Sequence, residues 1–267
     1  MKKSHIMLIV ICLIVFGIFY WVDYFNDDAN KSSEDLYKTI LQRGYIIVGV
    51  KTDTKPFGFI DRNGANAGYD IDLAHAIAKE IFHDAQKVKF VPVSDNDRLY
   101  LLNLNKLDMV IATLTITPLR RESVNFSKPY YLTGQTLLVK RGSSIRSMAD
   151  LSDKSVGVIF GSTAEQTIKF LLPTAKVRGY KTYDEAFQAL KKGEVLAVTS
   201  DDAILRRFTM QDSGVIILPR RYSKEFYGVA FRKTEESLSL LKIVDTVISD
   251  MDKQGKLEEL INKWDLN

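Results

Sequence analysis

From residue 45 to its end this chain alternates short β-rich runs with segments whose apolar residues recur at helical spacing, and few folds can bury such a pattern. Residues 45–50 and 88–93 are rich in Val, Ile, Phe and Tyr, whereas Ile71, Ala74, Ile77, Ala78 and Ile81 between them share one face of a helix. A helix over 96–104 and a strand at 109–112 complete a β-α-β-α-β series, which predicts a parallel sheet with right-handed crossovers. The pattern then recurs without any detectable sequence repeat. Strands are expected at 137–140, 156–159, 176–179, 195–199 and 215–218, with helices at 164–171, 183–191 and 203–207. A strand at 227–232 and helices at 235–252 and 257–264, separated at Gly255, finish the series.

Charge and composition narrow the partners. A net charge of only +4 over 267 residues, with no basic stripe interleaved with aromatics, argues against nucleic acid. The single cysteine, Cys12, cannot form an internal disulfide, and His5, His75 and His83 make no ligand set, so neither a metal nor a cofactor is expected. No serine elbow, Walker loop or zinc-binding helix pattern is present.

Lys2 and Lys3 precede an unbroken apolar run at 6–22, and Asp23, Asp27 and Asp28 follow it. The basic side should stay in the cytoplasm while the rest crosses. At 1.5 Å per residue the run spans about 25 Å, slightly short of a bilayer, and Tyr24 and Phe25 extend it to the interface. No small residues stand at a cleavage spacing, and Ile11 rather than a small residue precedes Cys12. Residues 1–25 therefore read as an uncleaved anchor in preference to a signal sequence, and 26–37 as a polar tether, with the folded part on the outer face of the membrane.

One stretch carries chemistry. After the apolar start at 109–112, Thr113, Thr115 and Thr117 place hydroxyls and backbone N–H groups at a strand end, Pro118 suits the first position of a helix, and Arg120 supplies a planar fork. That fork fits a carboxylate with two parallel hydrogen bonds. Ligands of open α/β sheets sit beyond the carboxyl ends of strands, where Lys51, Thr113, Thr115 and Asp201 fall.

This stretch, together with Val48-Gly49-Val50-Lys51, Pro56-Phe57-Gly58-Phe59, Gly68-Tyr69-Asp70-Ile71-Asp72-Leu73, Gly157-Val158-Ile159-Phe160-Gly161-Ser162-Thr163 and Ser200-Asp201-Asp202-Ala203, resembles the polar amino-acid group of extracytoplasmic solute-binding proteins of ABC importers. The likeness spans about residues 38–267. It implies a two-lobed, type II periplasmic-binding-protein-like α/β fold with two hinge strands and the ligand in the interlobe cleft. Lobe 1 would comprise 38–131 and 228–267, and lobe 2 residues 132–227, with crossings near 131–134 and 223–227.

By the same resemblance Arg120 holds the ligand's α-carboxylate and Asp201 its α-ammonium, with Asp202 competing for that role. Arg98 and Lys51 match cations of the members that bind glutamate or aspartate. Thr163 would offer a backbone N–H at a helix start. Phe57 either covers the ligand's aliphatic part or packs in the core. Three cations, Arg120, Arg98 and Lys51, against Asp201 favour an acidic guest, glutamate or aspartate, delivered to an ABC permease without catalysis. Two other functions fit the fold: a cyclohexadienyl dehydratase-like enzyme, for which Glu165 and Asp202 are available as acids, and a ligand-binding module of a glutamate-receptor-like sensor.

Overall fold

The computed structural model describes residues 35–266, so the expected membrane segment at 1–25 lies outside the described residues. No helix among the described residues is long and apolar enough to cross a membrane.

The described chain starts with a helix, α1 (Leu36–Arg43). Asp35 caps it by accepting from the Tyr37 N–H at 2.8 Å, and Gly44, at φ 80°, ends it in the left-handed region that favours glycine. Leu36 and Ile40 are buried, so the last residues of the expected 26–37 tether belong to the folded core instead. A polar context hid this helix, because only one short face of it is apolar.

Lobe 1 is built on a five-stranded sheet. Its strands are β1 (Ile46–Val50), β5 (Val88–Pro92), β6 (Met109–Val110), β7 (Val124–Thr133) and β13 (Glu225–Arg232), in the order β5-β1-β6-β13-β7. Strand β1 is almost wholly buried, as expected of a central strand that pairs in parallel with both neighbours. Between β1 and β5 lie a small sheet of β2 (Asp53–Thr54), β3 (Gly58–Ile60) and β4 (Asn66–Ala67), then helix α2 (Tyr69–Phe82). That helix buries Ile71, Ala74, Ile77, Ala78 and Ile81, the face expected from their spacing. Helices α3 (Arg98–Asn103) and α4 (Pro118–Arg121) flank β6.

Lobe 2 holds a second five-stranded sheet. Strands β8 (Gln135–Lys140), β9 (Ser155–Ile159), β10 (Lys176–Tyr180), β11 (Ala197–Asp201) and β12 (Val215–Ile217) take the order β10-β9-β11-β8-β12. Helices α5 (Thr163–Leu171), α6 (Tyr183–Lys192) and α7 (Asp202–Gln211) connect them. The chain returns to lobe 1 through β13 and ends in α8 (Leu238–Lys253) and α9 (Lys256–Lys263).

The three strands of the β-α-β-α-β series, β1, β5 and β6, pair in parallel as expected, but neither whole sheet is purely parallel. Strands β8 and β13 arrive directly from the other lobe without a crossover helix, so each runs antiparallel to its new neighbours. The two crossings lie side by side, with Glu225 opposite Thr133 and Tyr227 opposite Tyr131. They approach so closely that a Cβ on Gly134 would stand 2.4 Å from the Ser223 carbonyl oxygen, which only glycine tolerates. Under the crossings, Phe57 meets Tyr131 and Tyr227 edge-on, with ring centroids 5.1 and 5.5 Å apart. Phe57 is fully buried there and contributes roughly 1.5–3 kcal/mol by leaving water.

Candidate functional site

The segments that follow β5, β6 and β9 and the carboxyl end of β11 converge on one small polar cavity between the lobes. Lobe 1 lines it with Asp95, Arg98, Thr113, Thr115 and Arg120, and lobe 2 with Ser162, Thr163, Ala164, Tyr183, Ser200 and Asp201. Of the residues singled out in the sequence, Arg98, Thr113, Thr115, Arg120, Thr163 and Asp201 meet there. Lys51 and Phe57 do not line it. Phe57 belongs to the aromatic cluster beneath the crossings, which decides the open choice about it in favour of core packing.

Arg120 points inward. Its Nη1 donates to the Thr115 carbonyl at 2.8 Å and its Nη2 to the Gly161 carbonyl at 3.1 Å, so the guanidinium touches both lobes. Burial, then the neighbouring Arg98, pull its pKa down to about 10, which leaves it charged at neutral pH. The helix that carries it is a single turn, and the Thr117 hydroxyl already accepts from the Arg120 N–H at 3.1 Å. The expected anion site at that helix start is thus taken by the helix's own cap, and the guanidinium alone offers the charge.

The threonines are also more engaged than expected. Thr113 adopts a left-handed backbone (φ 46°), rare for a β-branched residue, and its N–H donates to Asp70 Oδ2 at 2.9 Å while its hydroxyl turns back to the Ala112 carbonyl. Burial pushes the Asp70 carboxyl up to about 6, against the opposing pull of that N–H. Thr115 Oγ1 and Thr163 Oγ1, from opposite lobes, both donate to Glu225 Oε2, at 2.7 and 2.8 Å. The Thr163 side chain therefore serves lobe contact, a role its expected backbone N–H did not foresee. Glu225 Oε1 accepts from Gln135 and from Ser223 Oγ at 3.0 Å, so one buried carboxylate ties both crossings to both lobes.

Asp201 ends β11 and is the N-cap residue of α7, yet its side chain makes no cap bond. Instead Oδ2 accepts from the Tyr227 hydroxyl, and Oδ1 is buried with no hydrogen-bond partner. Burial, with Glu225 nearby, pushes its carboxyl up to about 8, although the Tyr227 bond opposes the shift. A cation beside Oδ1 would supply the missing partner. Asp202 instead accepts from the Thr133 hydroxyl at 2.8 Å and pairs with Arg221, outside the cavity lining, so it does not compete for the role.

Asp95 engages two of the three cations counted toward an acidic guest. Its Oδ2 accepts from Lys51 Nζ at 2.7 Å and its Oδ1 stands 3.1 Å from Arg98 Nη2. Lys51 also faces Asp53 Oδ1 at 3.3 Å. Burial works against the Asp95 charge, but Arg98 and Lys51 outweigh it and hold the carboxyl below its usual range. The cavity wall then carries Arg98 and Arg120 against Asp95 and Asp201, a set that balances once Asp201 is ionised beside a bound ammonium. Asp95 was legible as one end of an i,i+3 pair with Arg98; Glu225 and Tyr227 had no local signal, since only the crossing of β13 brings them to the site.

Two lobes joined by paired crossings, with a polar cavity at the strand ends between them, define a hinged small-molecule-binding scaffold. Residues 46–267 match the family model of the bacterial extracellular solute-binding proteins, family 3, and the chain belongs to that family. An ABC transporter glutamine-binding protein, GlnH, of Bacillus subtilis is 37% identical over 242 residues, covering 90% of this chain and 88% of that one. A glutamate/aspartate import solute-binding protein of Escherichia coli is 28% identical over 249 residues, 89% and 82% of the two chains. The crystal structure of an ancestral amino acid-binding protein described as a precursor of cyclohexadienyl dehydratase superposes with a TM-score of 0.79 at 38% identity, covering 85% of this chain and 98% of that one. These relatives are named as binding proteins, not as enzymes.

Proposed function

We propose that this protein is the amino-acid receptor of an ABC importer, held at the outer face of the cell membrane by residues 1–25, and that its ligand has an uncharged polar side chain. The observation that carries the reading is the pairing of Arg120 with Asp201 in one cavity: a fork for an α-carboxylate and an unpartnered carboxylate oxygen for an α-ammonium. A hydrogen bond to a charged group contributes roughly 1.5–3 kcal/mol, so four or five of them offset ordering costs and reach about micromolar affinity. Capture proceeds by closure of the lobes, because the contacts that complete the site come from both.

The preference for an uncharged side chain replaces the expectation of glutamate or aspartate. Its support is the balanced wall charge created by Asp95, together with the glutamine-binding relative at 37% identity. Against the dehydratase-like alternative, neither Glu165 nor Asp202 faces the cavity. Glu165 binds Lys169 at 2.7 Å and the Gly161 N–H at 2.9 Å, and Asp202 is held by Arg221 and Thr133. Calorimetric titration of the full-length chain with each common amino acid tests the reading. Heat of binding for one or a few polar amino acids is the expected result; silence toward all of them would end it.

A further inference from the structure

We propose that Asp95 sets the selectivity of this cavity, favouring an amino acid whose side chain ends in a primary carboxamide and rejecting one that ends in a carboxylate. The inference rests on the receptor reading above and deepens it. Asp95 and Arg98 stand side by side on the lobe 1 wall, acceptor next to donor, with Oδ1 and Nη2 3.1 Å apart. A carboxamide presents the mirror of that pair, one acceptor oxygen and one donor nitrogen in a single plane. Its oxygen would accept from the Arg98 guanidinium, whose Nε–H has no hydrogen-bond partner. Its nitrogen would donate to Asp95, where each carboxylate oxygen keeps a second acceptor site beside those used by Arg98 and Lys51.

A side-chain carboxylate has no donor to offer Asp95 and sets a second negative charge against it in a site from which water is excluded. Lys51 cannot relieve the conflict, because it lies behind the wall and is already paired with Asp95 at 2.7 Å and Asp53 at 3.3 Å. Removing the Asp95 charge would expose Arg98 as an uncompensated cation and make the same wall suitable for the acid. A buried polar pair left without its complement discriminates far more strongly than a difference in size.

The test is calorimetry of the full-length chain with L-glutamine and L-glutamate for the wild type, Asp95→Asn and Asp95→Glu. The wild type should bind glutamine about a hundredfold more tightly than glutamate. Asp95→Asn should shrink that ratio at least about tenfold through a gain in glutamate affinity, and Asp95→Glu should keep glutamine ahead. An unchanged ratio in Asp95→Asn overturns the proposal, and so does a wild type that binds glutamate as tightly as glutamine, a result that needs no variant to fold. Failure of the receptor reading looks different: the wild type then binds neither compound nor any other amino acid.

Discussion

Arg120 donates from Nη2 to the carbonyl oxygen of Gly161 at 3.1 Å, an arginine of lobe 1 bonded to a turn of lobe 2. The same guanidinium is oriented from behind by the Thr115 carbonyl at 2.8 Å. The group that captures a carboxylate is therefore also a contact that closes the cleft, and ligand binding and closure share one residue.

Arg120→Lys should show that the fork, and not the charge alone, does the holding. An ammonium keeps the positive charge but loses the two parallel donors and the simultaneous grip on Thr115 and Gly161. The expected loss is about a hundredfold in affinity for whichever amino acid binds, near 2.7 kcal/mol, with Arg120→Ala abolishing measurable binding. Calorimetry reads both, and near-wild-type affinity in either variant would count against the assignment.

Gly161→Ala should prop the lobes apart. At this position φ is +79°, and a Cβ would stand 2.8 Å from the Asp95 carbonyl oxygen and 2.9 Å from Asn96 Cα, both in the opposite lobe. Closure would stop short by a few tenths of an ångström, weakening ligand binding by about tenfold or more. Small-angle scattering should show less compaction on ligand addition than in the wild type. Full compaction with unaltered affinity would mean that the turn moves aside at no cost.

Glu225→Ala should loosen the closed state even without ligand. Thr115, Thr163, Gln135 and Ser223 all lose a shared acceptor, so two buried and two half-buried donors lose their partner at once. Removal of such a centre costs about 2–4 kcal/mol, readable in urea unfolding, and should increase the radius of gyration of the unliganded protein. A stability change below about 0.5 kcal/mol would show that water replaces the carboxylate without penalty.

Affinity should rise with pH up to about 8. With its carboxyl pushed up to about 8, Asp201 carries a proton over much of the neutral range in the unliganded protein. An α-ammonium favours the ionised form, so binding must release that proton, and affinity falls as pH drops below about 8. The sign for folding is the reverse: a carboxyl raised from 3.8 stabilises the unliganded fold most below that value and loses the contribution as pH climbs through 8. Calorimetry in buffers of different ionisation enthalpy measures the proton released, and Asp201→Asn should abolish the release.

Much of this was written in local pattern. The 3.6-residue spacing of Ile71, Ala74, Ile77, Ala78 and Ile81 sufficed to place α2 and its buried face, because one apolar stripe has one way to be hidden. The runs that became β1, β6, β9 and β11 were likewise legible, and with them the strand ends that carry Thr113, Thr115 and Asp201. Only the hinge end of β7 is legible in the sequence, since Asn125, Lys128 and Pro129 break any alternation before it and the pairing with β13 that sustains the strand lies about 100 residues away. The helix at Leu36–Arg43 has too short an apolar face to be legible alone, and Leu36 and Ile40 matter only once α8 packs against them.

By itself the sequence determined the α/β pattern, the two sets of strands and the residue types gathered at their carboxyl ends, all properties of short stretches. Only the tertiary structure decided which charges are free. Lys51 and Arg98 read as spare cations until Asp95 was found between them, and Thr115 and Thr163 read as ligand donors until Glu225 arrived on a strand returning from the other lobe. Apart from the Asp95–Arg98 pair, that compensation depends on distances of a few ångströms between residues far apart in the chain, set by how the fold brings strand ends together and not by any neighbour along the backbone.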